Sequence, residues 1–170
     1  MKQFLFKALA LAMALTLLLC CRVSVSAEAV TEARVPVTLT VINTERPISV
    51  TVPAALPVSV VDGMVLTADN AKIHNNAKSG AVRVTGIVVE DGALTVSDFN
   101  AFPGKDNTIA LSINGCGTAG AGALKLQGLS FPDIAPGKSL PIHYEAKVAV
   151  SGTMREATAA TVIFTIAAVD

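Results

Sequence analysis

A glycine-rich segment, residues 115–120, is the first candidate for chemistry in this chain. It reads Gly-Cys-Gly-Thr-Ala-Gly and matches the GxGxxG pattern of dinucleotide-binding loops. Those loops hold a pyrophosphate at the N-terminus of the helix that follows. Here residues 123–127 follow instead, and their alternation of apolar and polar side chains predicts a strand. We therefore interpret the segment as a small-residue loop between strands, and we expect no nucleotide site.

Cys116 lies inside this loop, and a thiol beside a histidine base can act as a nucleophile. The two histidines, His74 and His143, both lie in alternating strand patterns, and no catalytic signature surrounds the thiol. We expect a free loop thiol, or one that forms an occasional intermolecular disulfide, and two histidines on the solvent side of strands. Two histidines without a third ligand predict no metal site.

A cluster of oxygen-bearing side chains surrounds the Phe-Pro-Gly sequence at 102–104. Its members are Asp98, Asn100, Asp106 and Asn107. Such groups can bind calcium in exported proteins, but their spacing is not that of an EF-hand loop. The same residue types cap turns, and the sequence leaves calcium binding and turn capping open.

Neither a GxSxG motif nor a pair of carboxylates suited to acid–base catalysis stands out in the 170 residues. We therefore predict a protein that is not an enzyme, with no catalytic, cofactor-binding or metal-binding residue assigned. The 13 basic and 13 acidic side chains exclude a strongly basic nucleic-acid binder. Aromatic residues make up only 4% and tryptophan is absent, which argues against a stacking platform for sugars or bases.

The N-terminus has the organisation of a secretory signal peptide. Lys2 and Lys7 precede an apolar run at 8–21 that is too short for a bilayer, since spanning takes about 20 residues. Small residues then suit cleavage after Ala27, with Ala29 as the second choice. We predict a signal helix at 1–27, a flexible tail at 28–34 and one domain at 35–170. The protein is expected to be secreted or on the cell surface.

A lipoprotein signal is the alternative, because Cys20 and Cys21 follow three leucines. It is the less favoured one, because the residue before a lipid-modified cysteine should be small and Leu19 is not. Cleavage at Ala27 would remove both of these cysteines and leave Cys116 alone, which excludes a disulfide framework.

Cleavage also changes the charge of the chain. It removes Lys2, Lys7 and Arg22 and no acid, which leaves 10 basic and 13 acidic residues, a net charge of −3. We therefore expect no electrostatic binding to nucleic acid or to anionic lipid. We also expect no membrane span in the mature chain.

Alternation with a period of two dominates the predicted domain. Val35, Val37, Leu39 and Val41 form the apolar face of the first predicted strand. The pattern predicts an all-β fold, an antiparallel two-sheet β-sandwich of the immunoglobulin or jelly-roll kind with nine or ten strands. The predicted strands cover 35–41, 48–52, 56–60, 71–76, 81–90, 93–99, 108–114, 123–127, 139–150 and 158–168.

Turn pairs separate these strands, among them Asp62-Gly63, Asn114-Gly115 and Asp91-Gly92. Asp-Gly and Asn-Gly tolerate the positive φ angles of tight hairpins, so most connections should join antiparallel neighbours. The sequence around Asp91-Gly92 predicts the clearest hairpin.

Residues 71–76, followed after a short turn by 82–87, have an "I-x-N" then "V-x-V" pattern that resembles exported bacterial surface proteins. Residues 134–139 and 160–166 are similar to the last half of such sandwiches. The groups they resemble are the WxL-type cell-wall proteins and the camelysin-like or TasA-like biofilm-matrix proteins. The absence of tryptophan argues against wall binding by the WxL motif. The resemblance implies a noncatalytic surface or matrix protein.

The expected function is thus structural or adhesive, at the bacterial cell surface or in the extracellular matrix. Residues 34–44 could pair with an open sheet edge of another copy or of another surface protein, or form the first strand of their own domain. The alternative function is an extracellular module that binds glycan or calcium through loops 98–107 and 115–122.

Overall fold

The computed structural model describes residues 31–41, 48–127, 130–151 and 157–169. This part of the chain is all-β, which confirms the predicted class, and it contains no helix. The predicted signal helix, the cleavage sites at Ala27 and Ala29, and Cys20 and Cys21 lie outside the described residues. The strands are β1 Thr31–Val41, β2 Val50–Thr51, β3 Ala55–Val61, β4 Met64–Thr67, β5 Lys72–Asn75, β6 Ala81–Asp91, β7 Thr95–Val96, β8 Thr108–Ile113, β9 Cys116–Gly117, β10 Gly122–Ala123, β11 Ser139–Pro141, β12 Tyr144–Ala149, β13 Ala157–Thr158 and β14 Ala160–Val169.

The largest sheet has seven strands in the order β10-β6-β14-β1-β3-β4, with β13 also paired to β1. β6 and β14 form its longest ladder, an antiparallel one with a bulge between Thr165 and Ile166. β1 pairs in parallel with β13 and β14 and antiparallel with β3. The first described strand is therefore part of its own domain. It begins at Thr31, so it includes residues 31–34, which the sequence assigned to a tail.

Two smaller sheets complete the described structure. One has the order β11-β5-β2, and the other has β8 between β12 on one side and the short β7 and β9 on the other. β7 and β8 are parallel, so residues 97–107 cross over one end of the sheet to connect them. All six residues of β8 are buried, because chain covers both faces of this strand.

A single hydrophobic cluster joins the three sheets. The alternation that predicted the strands also selects its members, since alternate positions of β1, β3, β6 and β14 carry buried or half-buried hydrophobic side chains. Cross-strand neighbours such as Val35 and Leu56 are fully buried. Phe131, Tyr144 and Phe164 are the only aromatics in the cluster, so β-branched and other aliphatic side chains fill most of it, as the composition predicts.

The hairpin predicted at Asp91-Gly92 is wrong. β6 pairs with β14 and β10, and β7 pairs with β8, so the two strands that flank this turn are not partners. Gly92 instead passes against the chain before β14, where an added Cβ would lie 2.6 Å from the carbonyl oxygen of Thr158. Glycine is needed here for close backbone approach rather than for a tight turn.

Three other strand predictions need correction. β4 was missed, because its Met-Val-Leu-Thr sequence does not alternate and leaves Met64 and Leu66 exposed. Only Gly122–Ala123 is a strand near the predicted 123–127. The predicted strand at 139–150 is broken at Ile142 and His143, so β11 and β12 join different sheets.

Candidate functional site

The two loops singled out in the sequence meet beside β8. The crossover from β7 to β8 carries Asp98 to Asn107, and the chain that leaves β8 carries the glycine-rich segment. The Phe99 amide donates to the Thr118 carbonyl oxygen at 2.8 Å, and Asp98 forms a β-bridge with Ala119. This pairing between distant parts of the sequence fixes the relative position of the loops.

A pocket of about 260 Å³ lies between these loops. One wall is formed by Asp98 and Asn100, and a second by residues 115–119. Ala123, Lys125 and Gln127 complete the lining, with the last two side chains exposed to solvent. Asp106 and Asn107 do not line the pocket, so the structure brings together only part of the predicted oxygen cluster. We call this the loop pocket.

Asp98 stabilises the turn that it begins. Its Oδ1 accepts hydrogen bonds from the amides of Asn100, at 2.7 Å, and Ala101, at 2.9 Å. This is the turn-capping role that the sequence left open beside calcium binding. Within the described ranges, no three His, Cys, Asp or Glu side chains are grouped in a way that could hold a metal ion.

The glycine-rich segment was predicted as a loop between strands, but it contains the short strand β9, which pairs with β8. Gly115, with φ of +80°, ends a tight turn that begins at Asn114, with φ of +46°. β9 and β10 follow, so residues 115–123 have no helix whose N-terminus could face a phosphate. Gly117 packs closely on Phe99, because an added Cβ would lie 3.1 Å from Cβ of Phe99, which is a tight contact.

Lys147 holds the crossover loop against β12. Its Nζ donates to the Phe99 carbonyl oxygen at 2.7 Å and lies 4.4 Å from the centroid of the Phe99 ring. Contact between a cation and an aromatic face is attractive at this distance. The half-buried Phe99 ring is thus covered on one face by Lys147 and is not a free stacking platform.

Thr118 is a site residue that the sequence analysis missed. It is buried, and its Oγ1 donates to the Ser97 carbonyl oxygen at 2.7 Å and accepts from the Leu111 amide at 3.2 Å. The hydroxyl therefore links the crossover loop, β8 and the glycine-rich segment. In the sequence it is one polar residue among glycines, and no local pattern distinguishes it.

Cys116 is a free thiol, as expected, but it lies in the short strand β9 rather than in a loop. Cys116 is only 2% exposed, because β9 pairs with β8 and turns its side chain into the hydrophobic cluster. Neither histidine lines the loop pocket. His74 lies on β5 with its Nδ1 at 2.9 Å from the Ser139 hydroxyl on β11, and it is half-buried rather than facing solvent. His143 is exposed, as predicted.

Comparisons of this chain with protein-family models, with characterised proteins and with solved structures found no match. In the part of the chain that the structure describes, no helix is long and apolar enough to cross a membrane.

Proposed function

We propose that this protein is an exported, noncatalytic structural or adhesive component of the bacterial cell surface or extracellular matrix. Its copies associate through the N-terminal strand β1. The observation that carries this proposal is the free side of the second half of β1. Residues 38–41 pair with β14 on one side, and no strand among the described residues pairs with the other side. Unpaired N–H and C=O groups on such an edge are a template for a strand of another chain.

The direction of the backbone groups identifies the donors on this free edge. The Val37 amide donates to the Ala54 carbonyl oxygen on the β3 side, at 3.2 Å. Because successive amides of a strand point to opposite sides, the amides of Leu39 and Val41 point the same way, beyond the end of the β3 ladder. The Val41 side chain is 45% exposed, which leaves room for an incoming chain.

We also propose that the three sheets form the predicted two-layer sandwich. The seven-stranded sheet would be one layer, and the two smaller sheets would lie side by side in the other layer. The single hydrophobic cluster supports this arrangement, because it takes side chains from all three sheets.

Size-exclusion chromatography with light scattering tests the assembly. We expect the protein to exceed the monomer mass at high concentration, and we expect Val41→Pro to return it to the monomer. Proline removes one donor from the free edge without removing a hydrogen bond to β14. Leu66→Lys, on the outer strand β4, is the control and should assemble normally. A parent protein that stays monomeric, or a Val41→Pro variant that assembles like the parent, would contradict the proposal.

The loop pocket favours a second candidate function, an extracellular module that binds glycan or calcium. Asn100, Lys125 and Gln127 offer hydrogen-bonding groups around a concave site, which suits a polyol. A glycan array with the parent and with Lys125→Ala is the test, with Lys72→Ala on β5 as the control. Glycan binding that Lys125→Ala weakens and Lys72→Ala leaves unchanged would favour the ligand-binding module. A melting temperature that is equal in calcium and in chelator would argue against the calcium form.

A further inference from the structure

The tight turn between β8 and β9 contains an asparagine whose side chain joins three parts of the fold. Asn114 and Gly115 are the central residues of this turn, with φ of +46° and +80°. Nδ2 of Asn114 donates to the carbonyl oxygens of Ser130, at 3.1 Å, and Pro141, at 3.4 Å. Its Oδ1 accepts from the His143 amide at 2.8 Å. The side chain therefore attaches the turn to the connection between β11 and β12 and to the chain that precedes β11.

This position needs a side chain that both donates and accepts. The backbone amide of Asn114 also donates to the His143 carbonyl oxygen, at 2.7 Å, so the two residues exchange hydrogen bonds. An aspartate has the same shape as an asparagine, but its ionised carboxylate only accepts. It would keep the bond from His143 and lose both bonds that Nδ2 donates.

The same pair of residues is open to attack by its own backbone. An asparagine side chain reacts most readily when glycine follows, because glycine has no side chain to crowd the attacking amide nitrogen. Asn114 is the only asparagine in the chain that precedes a glycine. Gly115 is exposed, and an added Cβ there would have no other atom within 4 Å. The site of attack thus lies at the surface, where water can take part.

We propose that Asn114 is a site of spontaneous deamidation in the folded protein, and that the reaction detaches the turn from Ser130 and Pro141. The amide nitrogen of Gly115 loses its proton and attacks Cγ of Asn114. A bond forms between these two atoms while the bond from Cγ to Nδ2 breaks, and Nδ2 takes up a proton and leaves as ammonia. The product is a cyclic succinimide. Water then adds to either carbonyl carbon of the ring and opens it, which leaves aspartate or isoaspartate.

The hydrogen bonds of the turn control the rate of this reaction. Cγ must approach the Gly115 nitrogen, so the Asn114 side chain must first leave its partners at Ser130, Pro141 and His143. That requires a local opening of the turn. The folded protein should therefore deamidate more slowly than the unfolded protein, and it should still react at Asn114 before its other asparagines.

Either product changes the structure around the turn. Aspartate places a carboxylate oxygen against the carbonyl oxygens of Ser130 and Pro141, so acceptors face an acceptor. Isoaspartate also lengthens the backbone of a turn that fixes the pairing of Ile113 with Cys116. Cys116 lines the loop pocket, so deamidation alters the shape of that pocket. The reaction itself depends neither on ligand binding there nor on strand addition at β1.

Incubation of the purified protein in mildly alkaline buffer tests the site, with peptide mass spectrometry that separates aspartate from isoaspartate. We expect Asn114 to be modified first, and more slowly in the folded protein than in urea. Gly115→Ala is the control for the chemistry. It is compared with the parent in urea, so that strain at its positive φ has no effect, and it should lose the early modification at Asn114.

Three results would overturn the proposed site. They are earlier modification of another asparagine, no modification of Asn114 in the folded protein while the unfolded protein reacts, and equal rates in the folded and unfolded states. These measurements use the parent protein, so they do not require any variant to fold.

Asn114→Asp tests the structural consequence, because it is one of the two products. Denaturant unfolding should show a folding equilibrium constant about tenfold lower than that of the parent, as expected when acceptors lose their donor. Asn100→Asp, in the exposed crossover loop, introduces the same charge and is the matched control, which should be as stable as the parent. Equal stability of the two variants would contradict detachment of the turn.

Discussion

At the scale of a residue, Tyr144 connects parts of the fold that share no hydrogen-bonded ladder. Its side chain is buried, and its hydroxyl contacts the backbone of β3 and of the chain after β4, while Tyr144 itself belongs to the sheet built on β8. Burial raises the pKa of its phenol, and the hydrogen bond from the Ala68 amide opposes this to a smaller extent. Ionisation would also remove the proton that the phenol donates to Pro57.

We predict that the protein loses stability in alkali because of Tyr144. A phenol pKa that is higher in the folded state contributes stability in full below the unfolded value, which is about 10, and that stability is lost as the pH rises through the folded value. The free energy of unfolding in urea should therefore fall above about pH 10. Because this is the only tyrosine in the chain, absorbance at the tyrosinate band reports its titration directly.

Tyr144→Phe is the control for that measurement. Without the hydroxyl, the Pro57 carbonyl and the Ala68 amide lose a partner, so we expect a loss of about 1–3 kcal/mol near neutral pH. The difference between parent and variant should then shrink in alkali. A difference that is the same at all pH values, or a phenol that titrates like free tyrosine, would contradict this account.

At the scale of an element, the chain at the end of β6 makes a close backbone contact at Gly92, where the sequence predicted a hairpin turn. An added Cβ at Gly92 would lie 2.6 Å from the Thr158 carbonyl oxygen and 2.8 Å from that of Ala159. The same two oxygens accept hydrogen bonds from the amides of Ala93 and Leu94. Gly92→Ala must shift this backbone, and we expect a loss of about 2–3 kcal/mol in the free energy of unfolding.

The matched control is Gly86→Ala, on the same strand. An added Cβ there would contact the Thr165 side chain at 3.4 Å, which is ordinary packing, so we expect a change within about 0.5 kcal/mol. Denaturant unfolding of both variants makes the comparison. Equal costs for the two substitutions would show that the close approach at Gly92 has no energetic consequence.

Local patterns in the sequence predicted the strands in which apolar and polar side chains alternate. β1, β3, β6, β8 and β14 were expected from alternation, and the positive φ angles of Asp62 and Gly63 confirm the turn between β3 and β4. Contacts between distant parts of the chain could not be predicted in this way. They include the parallel pairing of β1 with β14, and the meeting of Phe99 with Thr118 that forms the loop pocket.

Buried polar residues were the other class that the sequence did not identify. Asn75 reads as part of a turn, yet it is fully buried, and its Nδ2 donates to the carbonyl oxygens of Gly80 and Ile134. Ser112 reads as the polar position of a strand, yet it lines a pocket. Alternation separates two faces of a strand, but it does not show that other parts of the chain cover the polar face.

At the scale of the whole molecule, the hydrophobic cluster is continuous across the three sheets. It joins Val35 and Leu56 of the large sheet to Ile73 on β5 and to Ile109 on β8, all of them fully buried. Unfolding one sheet would expose the side chains that cover the other two. We therefore predict that the described strands unfold as one cooperative unit.

Cys116 and Tyr144 allow this prediction to be measured at two places. Cys116 is buried in the cluster, so a thiol reagent reaches it only when the cluster opens. We expect its labelling, measured by peptide mass spectrometry across a urea series, to give the same midpoint as Tyr144 fluorescence. Ala101→Cys, in the exposed crossover loop, is the control and should be labelled in the native protein. Rapid native labelling of Cys116, or a midpoint well below that of Tyr144, would mean that the sheet built on β8 opens separately from the rest of the core.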